Sequence, residues 1–376
     1  MRLQSVRIRN FKAIVDSKTV RLGPLTAFIG HNGSGKSSLI EALETYQTIV
    51  RDGLDVAMQR WMGIEHARHK AVEAKERAGE AVNPIAFNLA IGNSVMKSTR
   101  IEMMVNNDPA ANRIFISHET SQHANGWYIE KDMSRSMLSD VAESGRSIMA
   151  RARGKHGEVA DQIRNWQFLT LQPERMGMPQ PQQRTGGGVR LAKDGSNIAD
   201  FLLDIRRLDQ AAFDGIVETM TYVLPYARDL QPSVTSELER KAYLQLTEAD
   251  FKVPGWMLST GTLRMLALLA LLRHPNPPPL IVVEEIENGL DPRSIHLIVE
   301  EIRNAVQSGV TQVILTTHSP YLLDLLTLEH LVLVERDAKG QPRFIRPADN
   351  AGLARWAQEF APGKLYTMGS LSEGAR

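Results

Sequence analysis

Residues 2–9 alternate, with Val6 and Ile8 set against Arg7 and Arg9, which predicts a half-buried strand. Gly23 and Pro24 make a turn, and the short apolar run from Leu25 to Ile29 reads as a buried strand. The glycine-rich stretch Gly30 to Ser37 follows as a loop, and helical periodicity then runs from Lys36 to about Val50. Residues 55–82 are polar and mixed in charge, which predicts an exposed helix or helical pair. Strands are expected at 85–91, 100–105 and 113–117, the last two parted by an NNDP turn, with another near Trp127 to Ile129. Residues 137–165 read as helix and 175–197 as a Pro-, Gln- and Gly-rich loop, after which Asn197 or Ser196 caps a helix starting near Ile198.

The second half is more strongly patterned. LSTGTLRMLALLAL, residues 258–271, reads as a buried helix with a polar start and one charge, Arg264. After the stiff connector HPNPPP, Leu280 to Val283 is a continuous apolar strand, 293–307 a helix, and Val313 to Thr316 another buried strand. Short strands are expected at 331–335 and 343–346. There is no internal repeat and no heptad array, so a long coiled coil is not expected.

Composition narrows the class. A chain of 376 residues, 43% hydrophobic, is long enough for one large domain or two lobes with real cores. Its 44 Lys and Arg balance 43 Asp and Glu, so there is no chain-wide basic field for nucleic acid, only scope for a local patch. With no cysteine, disulfides and thiolate metal sites are excluded, which fits a reducing, cytoplasmic setting. The opening MRLQSVRIRNFKAIV alternates charged and apolar residues, so a signal peptide is not expected, and no apolar run approaches the length of a membrane span.

Chemistry enters with the loop. Gly30-His-Asn-Gly-Ser-Gly-Lys-Ser37 has the G-x-x-x-x-G-K-[ST] spacing between an apolar strand and a helix. Gly30, Gly33 and Gly35 allow the backbone to curl its N–H groups towards phosphate oxygens, and the helix start adds positive potential. Lys36 would reach the β- and γ-phosphates, and the Ser37 hydroxyl can ligate Mg²⁺. In LIVVEEIENGLDP the apolar strand ends in two acids: Glu284 is placed on the metal side and Glu285 as general base towards the attacking water. Thr316-Thr317-His318-Ser319-Pro320 puts a histidine at the carboxyl end of a buried strand, where open α/β sheets bind ligands.

Taken together, GHNGSGKS, LSTGT, LIVVEE with GLDP, and TTHSP resemble the ATP-binding-cassette class of ATPases. More narrowly, they resemble the SMC/RecF-like AAA-family ATPases, the group that holds overcoming-lysogenization-defect (OLD)-type and related defence ATPases. RIRNFKAI is similar to the family's N-terminal strand; QPERMGMPQP, LAKDGSNIADFL, TLRMLALLALL and LYTMGSL match stand-alone members. The resemblance implies an α/β P-loop NTPase fold, an ABC-type ATPase head with two lobes and a central, mainly parallel sheet. Residues 1–50 would hold the N-terminal strands and phosphate loop of lobe I, and 51–165 an insertion with the rest of that lobe. Residues 166–257 would form a connecting loop and helical segment, and 258–376 lobe II with the signature, acidic strand and switch histidine.

The family's roles fall on Asn32, Gly33, Ser34, Gly35, Lys36, Ser37 and Ser38 around the phosphates of ATP, and on His318 as switch histidine. Ser259 and Gly261 belong to the signature loop that completes the ATP site of a second protomer, and Asp291 matches an Asp that communicates across that dimer. The family's glutamine beside Mg²⁺ has a candidate in Gln172, within TLQPE. Close relatives often carry Pro where this chain has Ile286. The signature lacks the second consecutive Gly and the Gln of the transporter form, which with the wide separation of Lys36 and Glu284 favours the SMC-like group over a transporter subunit. Arg9 and Lys12 are candidates to approach the nucleotide, and Arg206, Arg207, Arg240 and Lys241 for a basic groove, with Asp204, Asp209, Glu237 and Glu239 close by in sequence.

The expected protein is an Mg²⁺-dependent ATPase that dimerises head to tail, because Ser259 and Gly261 have no evident use within one protomer. Its partners would be a second copy and a separate effector such as a nuclease, with phage defence as one setting and no membrane. The alternative is a repair or chromosome-maintenance clamp acting on DNA directly.

Overall fold

The computed structural model describes residues 1–71, 83–94, 97–108, 111–132, 144–183, 188–236, 239–356 and 359–371, with the side chains of Ala354 and Trp356 excepted. The segment AVEAKERAGEAV from residue 72 on, residues 137–143 of the expected helix, most of the Gly-rich run at 184–187, and Glu237 lie outside it. The described chain divides into two compact units, Met1–Trp166 with Thr327–Arg376, and Gln167–Leu326. The lobes expected from the sequence put 258–376 together; by compactness Thr327–Arg376 goes with the N-terminal segment.

The first unit is built on a seven-stranded antiparallel sheet. Arg2–Phe11 sits beside Ile14–Asp16, Val20–Arg21 and Ile85–Gly92, and Ser98–Asp108, Arg113–His123 and Tyr128–Asp132 continue outward. Alternation produces it: Val6 and Ile8 are buried while Arg7 and Arg9 are partly exposed. The insertion strands run longer than their apolar cores suggest, because backbone pairing carries on through polar residues such as Asn106 and Asn107. In the same unit Leu25–Ile29, buried along its whole length, pairs in parallel with Leu331–Arg336, which pairs antiparallel with Pro342–Ile345. The helix Lys36–Asp52 follows the phosphate loop and buries Leu39, Leu43, Tyr46 and Val50.

Two expectations here need correction. Residues 144–165 are not one helix: a 3-10 turn spans Ile148–Arg151 and a helix only Gly154–Arg164, since Ser147 turns its hydroxyl onto Met149 N–H and breaks the run. The segment from residue 55 on is not simply exposed, because Ala57, Met58 and Ile64 are buried and Arg68 is enclosed beside Asn107 at 2.7 Å.

The second unit has three parallel strands, Gln167–Leu169, Leu280–Val283 and Gln312–Thr316, with Val282 facing Phe168 on one side and Ile314 on the other. The last two are buried at every position, as a parallel strand covered on both faces requires. A small antiparallel sheet, with Lys241–Glu248 between Ala227–Val234 and Phe251–Pro254, stands before the helix Thr260–Leu272. Helix Ile198–Leu208 starts where expected, but Asn197 does not cap it: its side chain accepts from Ala192 N–H and donates to the Arg190 carbonyl.

Candidate functional site

In the first unit the phosphate loop is shaped by its glycines and braced by the end of the chain. Gly30, Gly33 and Gly35 have φ of 142°, 75° and 115°, values that L side chains rarely adopt. At Gly30 the requirement is double, since a Cβ would also stand 2.1 Å from the Val334 carbonyl oxygen. Pro342 closes on Gly35, where a Cβ would meet its ring at 2.7 Å. Arg336 donates from Nε to the Gly33 carbonyl at 2.8 Å and from Nη1 to the Gly340 carbonyl at 2.7 Å. Tyr366 is hydrogen-bonded to the Gly30 backbone, and burial raises its phenol above the ordinary value.

Lys36 is buried, and its ammonium donates to the Gly30 and His31 carbonyls at 2.7 and 3.1 Å, which points it back over the loop. Gly35, the residue before the helix, has no side chain with which to cap it. Asn32 and Ser37 are exposed, while Ser34 and Ser38 are buried. The arrangement combines positive-φ glycines, a helix start with no side-chain cap and a buried cation, elements suited to a polyphosphate.

In the second unit the acidic strand ends at Val283, with Glu284 half-buried and Glu285 exposed. Glu285 has φ 48°, a left-handed conformation that costs a non-glycine residue about 1–2 kcal/mol. It is held there by Thr316, whose Oγ1 accepts from Glu285 N–H at 2.8 Å while its carbonyl accepts from Ile286 N–H at 3.3 Å. Ile286 is buried, so the residue standing where relatives often have Pro anchors the turn. His318 is half-buried, and its backbone N–H donates to Glu287 Oε1 at 2.7 Å.

The signature segment has roles inside its own chain. Ser259 caps its own helix, accepting from Thr262 N–H at 3.1 Å and bonding the Thr262 hydroxyl at 2.8 Å. A Cβ on Gly261 would stand 2.4 Å from the Gly289 carbonyl oxygen, so the close approach of the turn after the acids requires a glycine there. The sequence argument that neither residue has a use within one protomer therefore fails. Asp291 likewise caps the helix Pro292–Gln307; the Ser294 hydroxyl, with the Ser294 and Arg293 amides, holds its carboxyl below the usual range.

Arg264 donates to the Leu171 carbonyl at 3.1 Å and packs on Gly289. Burial lowers its pKa, against the pull of Glu174 and Glu285. Gln172, next to Leu171 in sequence, is exposed at the start of the short helix Pro173–Met176.

Other candidates are engaged locally. Lys12 pairs with Glu41 at 2.6 Å and lies 4.4 Å from the Trp61 ring, and Arg9 pairs with Glu102 at 3.3 Å. Arg207 is bound to Asp204 and Lys241 lies 3.9 Å from Glu239, while Arg206 bonds Gln231; these pairings blunt the basic groove. Of the tryptophans read mostly as core, Trp166 is buried, but Trp127 and Trp256 are 59% and 50% exposed. Sequence reasoning passed over Glu287, Thr316, Arg264, Arg336 and Tyr366. A third acid two residues beyond Glu285 was the one available signal for Glu287. For the others, the contacts with Glu285 (Thr316), Leu171 (Arg264), Gly33 (Arg336) and Gly30 (Tyr366) are remote in sequence and leave no local trace.

The family described as "AAA domain, putative AbiEii toxin, Type IV TA system" matches residues 175–324, and the family described as "AAA ATPase domain" matches residues 1–117. The chain is 21% identical to an OLD nuclease from Thermus scotoductus over 97% of this chain and 68% of that protein. It is 27% identical to the chromosome partition protein Smc of Rhodopseudomonas palustris over 42% of this chain but 13% of the relative. A crystal structure of an SMC head bound to the C-winged helix domain of ScpA shares the fold, with TM-score 0.57 at 13% identity, covering 92% of this chain and 98% of that one. Among the described residues no helix is long and apolar enough to cross a membrane.

Proposed function

We propose that this chain, an AAA-family ATPase of the SMC/RecF-like, OLD type, holds ATP on the loop Gly30–Ser38 and hydrolyses it with Glu285 as general base. The observation that carries the reading is the loop itself: three left-handed glycines, a buried Lys36 turned over them, and a helix start that no side chain caps. Lys36 would neutralise charge growing on the β- and γ-phosphates, and His318 would hydrogen-bond the γ-phosphate or the attacking water. The exposed Ser37 hydroxyl and the Glu284 carboxylate are hard oxygen donors of the kind Mg²⁺ takes, with Gln172 a further candidate. Bound there, the metal would supply Lewis-acid stabilisation of the phosphates.

Two copies would meet head to tail around ATP, with Ser259, Gly261 and Asp291 facing the partner's nucleotide. The nucleotide state would then be passed to a separate effector, and the likeness to an OLD nuclease supports nuclease chemistry there and a role in phage defence. The likeness to Smc supports a second reading, a clamp acting on DNA, against which the ion-paired state of Arg207 and Lys241 weighs. Glu285→Gln is the test: it should keep ATP bound and accumulate a dimer on size exclusion while hydrolysis falls at least about a hundredfold. Hydrolysis at the parental rate would remove Glu285 as the base. Stimulation of the ATPase by DNA alone would favour the clamp; co-purification with a neighbouring gene's product would favour the effector.

A further inference from the structure

The turn after the acidic strand and the loop that carries His318 are joined by more than their adjacent strands. Thr316 holds the backbone of Glu285 and Ile286 from one side, through the 2.8 Å and 3.3 Å bonds. Glu287 returns the connection from the other, accepting the His318 N–H on Oε1 at 2.7 Å. Its second oxygen, Oε2, is buried without a hydrogen-bond partner. An unsatisfied buried acceptor is costly, so the carboxylate is held in this position at the expense of its own solvation. The backbone amide it grips belongs to the residue proposed to meet the γ-phosphate or the attacking water, and the turn it springs from holds Glu285 left-handed.

We infer that Glu287 is a positioning residue: it fixes the peptide of His318 relative to Glu285, so that base and switch histidine move as one unit. This rests on the roles proposed for Glu285 and His318. It acts through the His318 amide. A carbonyl oxygen in the same place suffices for that bond, so an amide side chain should serve nearly as well as the acid.

The experiment is a double-mutant cycle on the full chain with steady-state ATPase kinetics, together with hydrogen exchange at the His318 amide. Glu287→Ala should lower kcat about tenfold with KM for ATP changed less than about twofold, and should speed exchange of that amide. Glu287→Gln should stay within about threefold of the parent in kcat and keep the amide protected. In a His318→Ala background, Glu287→Ala should add less than about a twofold loss. A full, independent loss in that background would overturn the inference, as would a Gln variant as impaired as Ala. If His318→Ala leaves hydrolysis at the parental rate, the role of His318 is wrong and the inference goes with it. A normal His318→Ala defect beside an unimpaired Glu287→Ala variant would reject the positioning alone.

Discussion

Two glycine-bearing segments each lead into a helix, and they end differently. Before Lys36–Asp52 stands Gly35, left-handed and unable to cap, while the loop is braced from outside by Arg336, Pro342 and Tyr366. Before Thr260–Leu272 stands Ser259, whose hydroxyl already satisfies the Thr262 amide, and Gly261 is packed against the Gly289 carbonyl. The first helix start has no side-chain cap. The second is finished within its own protomer, so whatever it does for a second ATP is added to a structural role. A glycine in a motif can be required by a ligand, by a neighbouring strand, or by both, and only the contacts around it tell which.

Breaking the first segment should have the largest effect. Lys36→Ala should cost at least about a hundredfold in ATP hydrolysis with little change in thermal stability without nucleotide, measured by phosphate release and by calorimetry. Gly261→Ala should behave in the opposite way. Its Cβ would force the Gly289 turn aside, so unfolding free energy without nucleotide should fall by about 3 kcal/mol, read from urea denaturation. Parental stability in that variant would return the glycine to a purely ligand-driven role.

The loop helix also has a buried back, which separates its packing from its open end. Glu119 is fully buried, bonded by the Ser147 hydroxyl at 2.6 Å and the Ile148 amide at 2.8 Å, and its charge acts on the buried Tyr46 phenol of that helix. Burial pushes its carboxyl up from 4.5 to about 7 despite those bonds. The folded chain therefore keeps a proton that the unfolded chain releases, and stability present below pH 4.5 is lost as pH rises through about 7. Glu119→Gln should raise unfolding free energy at pH 8 by on the order of 2 kcal/mol and leave it unchanged near pH 4, with ATP affinity unaffected. The smallest change expected is Ser259→Ala, which loses one cap and about 1 kcal/mol without nucleotide. A loss no larger than that, together with failed ATP-dependent dimerisation, would separate the cap from the partner-facing role.

What could be read along the chain was whatever depends on near neighbours. The phosphate loop, its flanking strand and helix, and the buried strands 280–283 and 313–316 stand out because spacing and unbroken apolar runs are local properties. The stretch before Gly154 misled because Ser147 competes for backbone amides, and the segment after Leu54 because scattered charges hid a buried face.

The sequence by itself determined the elements and the chemistry they carry: which loop can curl around phosphate, which strand ends in acids, where a histidine follows a strand. Tertiary structure alone decided what holds those groups in place. Val334 against Gly30, Arg336 on Gly33, Gly289 against Gly261 and Glu287 on the His318 amide are close approaches between parts of the chain that are mostly remote in sequence. Such a contact leaves no periodic trace, because steric exclusion and a hydrogen bond act over a few ångströms of space at any separation along the chain.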